Sequence, residues 1–411
     1  MRTAVIGGGI VGVSTALTLR RSGHDVVLIE RGDLGMGCSY GNGGAISPDF
    51  CVPLAMPGML KRVPRWFSDP LGPLVVRWRH LPAAMPWLVR WVLQGRDIAK
   101  VRANSAAMRS LHRDALADYR TLLAGEYGQL IETTGQMYVW QHDRSGPVES
   151  LARQLRLEQG VEARSLTGSE IRSLDPHLDV RYDKGLFFPE NGHTIDPLGL
   201  VRALAARYAA EGGQVVRDEF RRFELRESRA VAAQCAQGRH EADAFVIATG
   251  VDGARMARGL GDRVSMQAER GYHVMLPDPG VRPAIKISNR DHMFGLTPMA
   301  QGVRISGTVE IASADAPADY RRAQALLTRA RQMYPGLNGE DASFWMGSRP
   351  STPDSLPVID RARAARNVIY AFGHGHSGLT GAPMTARMAA ALLAQERPPI
   401  DPNPYRAARF H

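Results

Sequence analysis

Cysteine is scarce in this chain of 411 residues, and the few cysteines present exclude two kinds of site or scaffold. The three cysteines are Cys38, Cys51 and Cys235. They do not have the spacing of zinc ligands, and an odd number of cysteines does not give a framework of paired disulfides. Their small number fits a reducing compartment such as the cytosol. We therefore expect neither a bound metal nor a structural disulfide.

Long apolar runs are also absent from the sequence. No window reaches the roughly 18 or more uninterrupted apolar residues that a membrane-spanning helix needs. Met1 leads directly into an apolar strand, without the charged leader and cleavage site of an export signal. We expect a cytoplasmic protein that does not cross a membrane.

The sequence has no segment in which charges of one sign are concentrated, although the formal net charge is +10. The basic residues are mostly arginines and are interleaved with acids, as on an ordinary soluble surface. A nucleic-acid-binding protein would show a concentrated basic patch. The balance favours an anionic partner such as a carboxylate substrate, and we expect no nucleic acid.

The start of the chain contains the pattern of a dinucleotide-binding unit. A strand from Thr3 to Ile6 leads through a glycine turn into a helix from Val11 to Ser22, and a second strand runs from Asp25 to Glu30. This order predicts the opening βαβ unit of a doubly wound α/β sheet. Candidate cofactor contacts in this unit are Gly7, Gly9, Ile10, Val11, Gly12, Glu30 and Arg31.

Each of the three glycines that the pattern requires has a physical role in such a unit. Gly7 permits the tight turn, Gly9 lets the backbone approach a pyrophosphate, and Gly12 lets helix and strand pack closely. Glu30 would accept hydrogen bonds from ribose hydroxyls and would repel a 2′-phosphate. The unit therefore predicts an adenine dinucleotide other than NADP.

A later strand decides between the remaining dinucleotides. The apolar run from Ala244 to Ala248 ends in Thr249 and Gly250, an ending that is typical of flavoproteins. Before it, Gly213-Gln214-Val215 occupies the place where such proteins offer backbone groups to the adenine, so Val215 is a candidate contact. Both features favour FAD over NAD.

Five blocks of sequence together resemble the D-amino acid oxidase superfamily, which includes glycine and sarcosine oxidases, and most of all its bacterial D-amino acid dehydrogenases. The resemblance covers nearly the whole chain. The blocks are the dinucleotide unit ending at Glu30, Ser39-Tyr40-Gly41-Asn42-Gly43-Gly44, Ala248-Thr249-Gly250, Gly347-Ser348-Arg349-Pro350-Ser351-Thr352-Pro353-Asp354, and Gly373-His374-Gly375-His376-Ser377-Gly378-Leu379-Thr380.

The resemblance implies an α/β protein in which a doubly wound Rossmann-type FAD-binding domain is interleaved with a mixed-sheet substrate domain. We assign residues 1–52, 186–262 and 346–411 to the first and residues 53–185 and 263–345 to the second. Strands with alternating patterns between residues 270 and 308 predict the mixed sheet. A long helical stretch is predicted from about Val101 to Tyr127.

The resemblance also places further residues against the flavin. Members of the group that attach FAD covalently use a cysteine in the C-terminal third, and no cysteine follows Cys235, so FAD should be bound non-covalently. A glycine loop followed by a helix start would place partial positive charge beside the flavin ring. The candidates are Ser39, Asn42, Gly43, Gly373, Gly375, His376, Gly378, Leu379 and Thr380.

Three residues are candidates for the reaction centre of amino-acid oxidation, which needs a cation for the carboxylate and an α-hydrogen aimed at the flavin. Arg349 is the predicted carboxylate clamp, because a guanidinium offers a bidentate fork and Gly-x-Arg-Pro matches the family's arginine. Tyr272 would bond the carboxylate or close the pocket, and His376 would line the pocket or act as a base.

The substrate and the electron acceptor stay open at this level. D-Proline and cis-4-hydroxy-D-proline are candidate substrates of a D-amino acid dehydrogenase. The alternatives are an oxygen-using glycine or sarcosine type oxidase, the flavoprotein subunit of a hetero-oligomeric dehydrogenase, and a tRNA-modifying FAD enzyme. Homo-oligomers are also compatible with the sequence.

Residues 60–96 bear on the acceptor. They place Trp66, Trp78, Trp87 and Trp91 among arginines and prolines, the pattern of a broken amphipathic helix. Such a segment either contacts an anionic membrane surface, where a quinone would accept electrons, or packs the substrate domain.

Overall fold

A computed structural model describes residues 1–59, 69–142 and 146–411. Strands in the described ranges, numbered in chain order, are β1 (Arg2–Ile6), β2 (Asp25–Glu30), β3 (Ala45–Ile46), β4 (Leu74–Val76), β5 (Ile131–Glu132), β6 (Gln136–Trp140), β7 (Arg164–Thr167), β8 (Lys184–Phe188), β9 (Gly192–Thr194), β10 (Gln214–Arg217), β11 (Phe220–Arg226), β12 (Arg229–Cys235), β13 (Arg239–Glu241), β14 (Ala244–Ile247), β15 (Gln267–Leu276), β16 (Lys286–Asn289), β17 (Phe294–Met299), β18 (Gly302–Ile311), β19 (Ser343–Ser351), β20 (Val358–Arg361) and β21 (Val368–Phe372).

Helices in the same ranges are numbered likewise. They are α1 (Ile10–Arg21), α2 (Leu81–Arg96), α3 (Ile98–His112), α4 (Ala115–Leu123), α5 (Tyr127–Leu130), α6 (Pro147–Glu158), α7 (Gly168–Leu174), α8 (Pro197–Ala210), α9 (Gly253–Gly259), α10 (Arg321–Met333) and α11 (Gly378–Ala394). None of them is long and apolar enough to cross a membrane.

The first sheet, called here the parallel sheet, has the order β10-β2-β1-β14-β21-β20. Its neighbours are parallel except at the edge, where β20 runs antiparallel to β21. Apolar residues of α1, α4, α8 and α11 pack together with one face of the sheet. The other face is covered by α9 and by an antiparallel sheet of β11, β12 and β13. The predicted Rossmann-type α/β fold is confirmed.

The second sheet, called here the mixed sheet, has the order β19-β15-β18-β17-β16-β6-β8-β7, and β4 pairs with β18. Most neighbours are antiparallel, whereas β16 with β6 and β18 with β4 are parallel. One face of the sheet buries apolar residues against α10. Because side chains alternate along a strand, the residues between them point to the opposite face, where the cavity lies.

The helical stretch predicted from about Val101 to Tyr127 is confirmed, and it is divided into α3, α4 and α5 in succession. The breaks fall at Arg113–Asp114 and at Ala124, whose φ of 48° is left-handed and cannot continue a right-handed helix. The predicted strands between residues 270 and 308 are confirmed as β15 to β18.

The domain boundaries proposed from the sequence stay a prediction. Two strands of the mixed sheet run across them: β8 spans the division at residue 186, and β19 spans the division at residue 346. A division that follows hydrogen bonding would keep each of these strands with the mixed sheet.

Candidate active site

A cavity of about 1120 Å³ lies between the edge of the parallel sheet where α1 begins and the open face of the mixed sheet. Its volume slightly exceeds the usual range of about 300–1,000 Å³ for small-molecule and cofactor sites. The glycine turn after β1, the ends of β2 and β14, the residues before α11 and strands β15 to β19 all contribute to the wall. A dinucleotide and a small substrate therefore have a common space.

The glycine turn has the geometry that its pattern predicts. Gly7 adopts φ 107°, and a side chain at Gly12 would collide with the Gly7 carbonyl, so both positions require glycine. Gly7, Gly9, Ile10 and Val11 line the cavity, whereas Gly12 packs behind them. The N-terminus of α1 therefore faces the space that a pyrophosphate would fill.

Glu30 and Arg31 lie at the end of β2, in the cavity wall. The Glu30 carboxylate accepts hydrogen bonds from the Gly8 N–H (2.6 Å) and the Gly32 N–H (3.0 Å), which fix its position. Each carboxylate oxygen has a second lone pair for a ribose hydroxyl. Arg31 forms an exposed ion pair with Asp252 (3.3 Å).

The loop after β2 covers the space between the two sheets. The Ser39 hydroxyl accepts a hydrogen bond from the Ile10 N–H (2.9 Å), which ties this loop to the start of α1. The Asn42 side chain accepts one from the Gly44 N–H (2.8 Å), and a Cβ atom on Gly43 would lie 2.5 Å from the Ser306 hydroxyl of β18. Ser39, Asn42 and Gly43 all line the cavity.

Residues predicted at the end of β14 lie in the cavity wall, whereas the predicted adenine contact does not lie in its described part. Thr249 and Gly250 line the cavity. Val215 is 45% exposed, pairs with Leu28 within the parallel sheet and is not among the described residues of the cavity wall. The chain reaches the wall a few residues later, at Asp218, Glu219 and Phe220, because β10 lies at the sheet edge.

Only part of the segment before α11 lines the cavity. The cavity wall contains Gly375, His376, Gly378 and Leu379. Gly373, with φ 87°, and Thr380 lie behind it; the Thr380 hydroxyl accepts a hydrogen bond from the Ser47 N–H (3.1 Å). The first N–H groups of α11 therefore begin at the cavity, and the flanking residues hold the loop in place.

Arg349 reaches the cavity from the edge strand of the mixed sheet. Its guanidinium lies over Gly271 of β15, and Nη1 donates a hydrogen bond to the Thr308 carbonyl oxygen (3.1 Å). Burial lowers the pKa of Arg349, and the charge of Glu269 opposes that effect. Among the described residues no carboxylate lies within ion-pair distance, so the remaining N–H donors face the cavity.

Glu269 is a buried acid that sequence reasoning missed. It pairs with Arg349 in the register of β15 and β19, and its Oε2 lies 2.7 Å from Nε2 of His376. Burial raises the pKa of Glu269, but the hydrogen bond and charge of His376, together with Arg349, outweigh it, so the pKa lies below its usual value. Glu269, Arg349 and His376 form one charged cluster in the cavity wall.

The role predicted for Tyr272 at the substrate stays a prediction, and the residue contributes to the cavity wall. Its ring belongs to the apolar core against α10, on the face of β15 opposite Gly271 and His273. The hydroxyl donates to Oε2 of Glu310 (2.8 Å) and accepts from the Asp319 N–H (3.0 Å). The phenol therefore forms two hydrogen bonds within the protein.

Two further histidines near the site are held neutral. Burial lowers the pKa of His273 to about 4, and its ring stacks on Trp345. Burial lowers the pKa of His374 to about 3, and its Nε2 lies 2.8 Å from the Thr385 hydroxyl. Both are packed parts of the wall and its support.

The tryptophan-rich segment is divided between core and surface in its described part; Trp66 lies outside the described residues. Trp87 and Trp91 are buried and line the cavity, and the Trp87 indole donates to the Ser351 carbonyl oxygen (2.9 Å). Trp78 is 65% exposed. Packing against the mixed sheet thus accounts for Trp87 and Trp91 of this segment.

These features fit FAD. A helix N-terminus, a glycine turn, a fixed carboxylate for ribose and a second helix N-terminus follow one another along a single cavity. They supply the groups that recognise the phosphates, the adenosine half and the flavin ring of such a cofactor. The charged cluster of Glu269, Arg349 and His376 lies beyond them, toward the mixed sheet.

Comparisons with known proteins agree with this assignment. The family model described as FAD dependent oxidoreductase (DAO) matches residues 2–392. A D-amino-acid oxidase from Bradyrhizobium diazoefficiens is 38% identical, covering 99% of this chain and 98% of its own. A D-amino acid dehydrogenase from Paramagnetospirillum magneticum is 29% identical, covering 96% of this chain and 95% of its own.

Solved structures share the fold. L-Proline dehydrogenase from P. horikoshii has a TM-score of 0.76 at 20% identity, covering 100% of this chain and 97% of its own. Glycine oxidase from Geobacillus kaustophilus has a TM-score of 0.74 at 20% identity, covering 99% of each chain. The chain therefore belongs to the DAO family of FAD-dependent oxidoreductases.

Proposed function

We propose that this enzyme oxidises the bond between the α-carbon and nitrogen of a D-amino or D-imino acid, and that it is a dehydrogenase. The observation that carries the proposal is Arg349, a partly buried residue in the cavity wall whose guanidinium has one hydrogen bond to protein and no carboxylate at ion-pair distance among the described residues. D-Proline and cis-4-hydroxy-D-proline are the candidates that the sequence resemblance suggests. The named D-amino acid relatives support the choice of stereochemistry.

The residues of the cavity would position the substrate. The free N–H groups of Arg349 hold its carboxylate in a bidentate fork, and the Thr308 carbonyl and Gly271 fix the plane of that fork. FAD, when bound, supplies the hydride acceptor for the α-hydrogen. The substrate enters with a neutral amine, so the wall needs no dedicated base.

Glu269 and His376 act as positioning residues in this account. Glu269 provides a counter-charge near Arg349 without occupying its fork, and it orients the His376 ring through a short hydrogen bond. His376 lies two residues before α11, so the same bond steadies the approach to that helix. We propose that FAD itself is held non-covalently; acid precipitation should then leave all of the flavin in solution.

An exposed apolar stripe on α2 supports peripheral membrane contact and a membrane quinone as acceptor. Met85, Val89 and Leu93, spaced four residues apart, are 44 to 53% exposed. Arg90 and Arg96 are exposed on the same helix. Apolar side chains flanked by arginines suit the headgroup region of an anionic membrane.

Arg349→Ala tests the proposal. The variant should keep its yellow colour and fold, whereas kcat/KM for the best D-amino acid should fall at least roughly tenfold, as for a lost charge-assisted hydrogen bond. Steady-state kinetics with an artificial electron acceptor measure this. Exposed Arg263→Ala is the matched control. An unchanged kcat/KM in Arg349→Ala would remove Arg349 from the substrate site.

A further inference from the structure

Lys286, on β16 of the mixed sheet, is a buried cation without a partner. It is 6% exposed and lines the same cavity as Arg349. Its Nζ has no hydrogen bond or ion pair among the described residues. A buried ammonium that lacks a counter-charge is costly, and proteins normally pair it. An anionic group of a ligand in the cavity is the simplest partner for it.

The surroundings of Lys286 are net basic. The Asp49 carboxylate acts on it from beyond ion-pair distance and accepts a hydrogen bond from the Asn191 amide (2.6 Å). Arg156 also lines the cavity, and its buried Nε has no hydrogen-bond partner. Lys286 and Arg156 therefore share the charge of the single Asp49 carboxylate. The Nε donor of Arg156 is left without a hydrogen bond in the described part of the chain.

The position of Lys286 relative to Arg349 follows from the sheet. A Cβ atom on Gly295 of β17 would lie 3.2 Å from the Lys286 Nζ, so the ammonium lies over β17. The Arg349 guanidinium lies over Gly271 of β15, and only β18 separates these two strands. Two strand spacings amount to roughly 10 Å across the sheet. One small molecule can therefore reach both cations.

We propose that Lys286, assisted by Arg156, binds a carboxylate at the end of the substrate's side chain, so that the preferred substrate is an acidic D-amino acid. This inference rests on the proposed function and prefers an acidic D-amino acid to its two candidates, D-proline and cis-4-hydroxy-D-proline. Arg349 holds the α-carboxylate and Lys286 the distal one. A proline ring or an alkyl side chain would leave the buried ammonium uncompensated, and a single hydroxyl would leave its charge unpaired.

Matched substrate pairs test this proposal. D-Glutamate and D-glutamine differ mainly in the charge of the terminal group, as do D-aspartate and D-asparagine. For at least one pair, kcat/KM of the holoenzyme should favour the acid by about tenfold or more. In Lys286→Met that ratio should fall to about one, mainly through loss of the acid. Lys184→Met, at an exposed position of β8, is the control and should keep the wild-type ratio.

A binding measurement covers the case in which Lys286→Met does not fold. Glutarate should perturb the flavin spectrum of the wild-type holoenzyme at concentrations about tenfold lower than butyrate, which has one carboxylate fewer. Acid-to-amide ratios near one for both substrate pairs, a ratio unaffected by Lys286→Met, or equal binding of glutarate and butyrate would each overturn the inference. Rapid oxidation of neutral D-amino acids with such ratios would leave the proposed function intact, whereas failure to oxidise any amino acid would reject the function itself.

Discussion

At the scale of single residues, the site depends on Glu269, Arg349 and His376, which lie together in the fold although they come from separate parts of the sequence. Glu269 and Arg349 come from paired strands, and His376 comes from the segment before α11. Glu269 offsets the charge of both neighbours while leaving the Arg349 donors open to the cavity. The cluster can therefore receive an anion without a large rearrangement.

The bond between Glu269 and His376 should behave as one energetic unit. Glu269→Gln and His376→Gln should each lower kcat/KM while FAD stays bound, and the double variant should be little worse than either single one. The coupling energy of this charge-assisted bond should be about 1.5–3 kcal/mol. A double-mutant cycle on kcat/KM measures it, and additive effects would show that the two residues act independently.

Sequence reasoning identified some of these residues and missed others for physical reasons. Arg349 was predictable from its Gly-x-Arg-Pro context. Glu269 gave only a weak signal, an acid within a strand, because its partners are distant in sequence. The assignment of Tyr272 to the substrate stays a prediction; the alternation of β15 places its ring on the same face as Val274 and Leu276, both buried in the core.

At the scale of elements, β15 presents a glycine where the Arg349 side chain must lie. A Cβ atom on Gly271 would collide with the guanidinium carbon. Gly271→Ala should therefore displace Arg349 and lower kcat/KM about as much as Arg349→Ala, with FAD retained. Gly259→Ala, where a Cβ atom meets nothing within 4 Å, is the control. Normal kinetics in Gly271→Ala would place the functional guanidinium elsewhere.

Helix α2 should mediate vesicle binding through its exposed stripe. Leu93→Asp places a charge on that stripe and should reduce co-sedimentation with phosphatidylglycerol vesicles at low salt several-fold. Leu157→Asp, at a leucine that is 68% exposed on α6, should have no effect. A wild-type protein that remains in the supernatant would contradict membrane contact.

Elements were more predictable than their junctions. Local patterns indicated β1, α1, β2 and β14 because glycine turns and apolar periodicity are written within a few residues. The break at Ala124 was not predictable, because alanine favours helices and only tertiary packing imposes its left-handed φ of 48°. The residue at which the chain after β10 reaches the cavity wall was not predictable for a similar reason, since it depends on how far β10 extends along the sheet edge.

At the scale of the whole molecule, buried histidines couple stability to pH. Burial lowers the pKa of His112 to about 4 and that of His374 to about 3. In the unfolded chain these histidines bind protons with a pKa of about 6.5, whereas in the folded protein they remain neutral to a lower pH. Their contribution to the free energy of unfolding is therefore fully present above pH 6.5 and decreases as the pH falls toward 4. At pH 5 the loss should be about 2 kcal/mol per histidine.

The Tm of the holoenzyme should accordingly fall by several degrees between pH 7.5 and pH 5. His374→Asn should reduce that difference, because asparagine does not titrate there. His142→Asn, with a side chain that is 79% exposed, should not change it. A Tm independent of pH over this range would contradict the assignment of neutral buried histidines.

The interleaved order of the two sheets was predictable in outline, because the family resemblance covers nearly the whole chain. No local sequence pattern predicts that Lys286, Arg349 and the segment before α11 line the same cavity. Their meeting depends on contacts between strands of distant sequence, and it carries the proposal on substrate class.

The most direct test of the central claim, that this enzyme oxidises an amino acid clamped by Arg349, is an anaerobic half-reaction. Purified holoenzyme is mixed with D- and L-forms of acidic, neutral and imino acids, with glycine and sarcosine, while flavin absorbance at about 450 nm is followed. We predict rapid bleaching by a D-enantiomer, fastest for an acidic one, and little by its L-form or by Arg349→Ala. If no amino acid bleaches the flavin, the proposed reaction is contradicted.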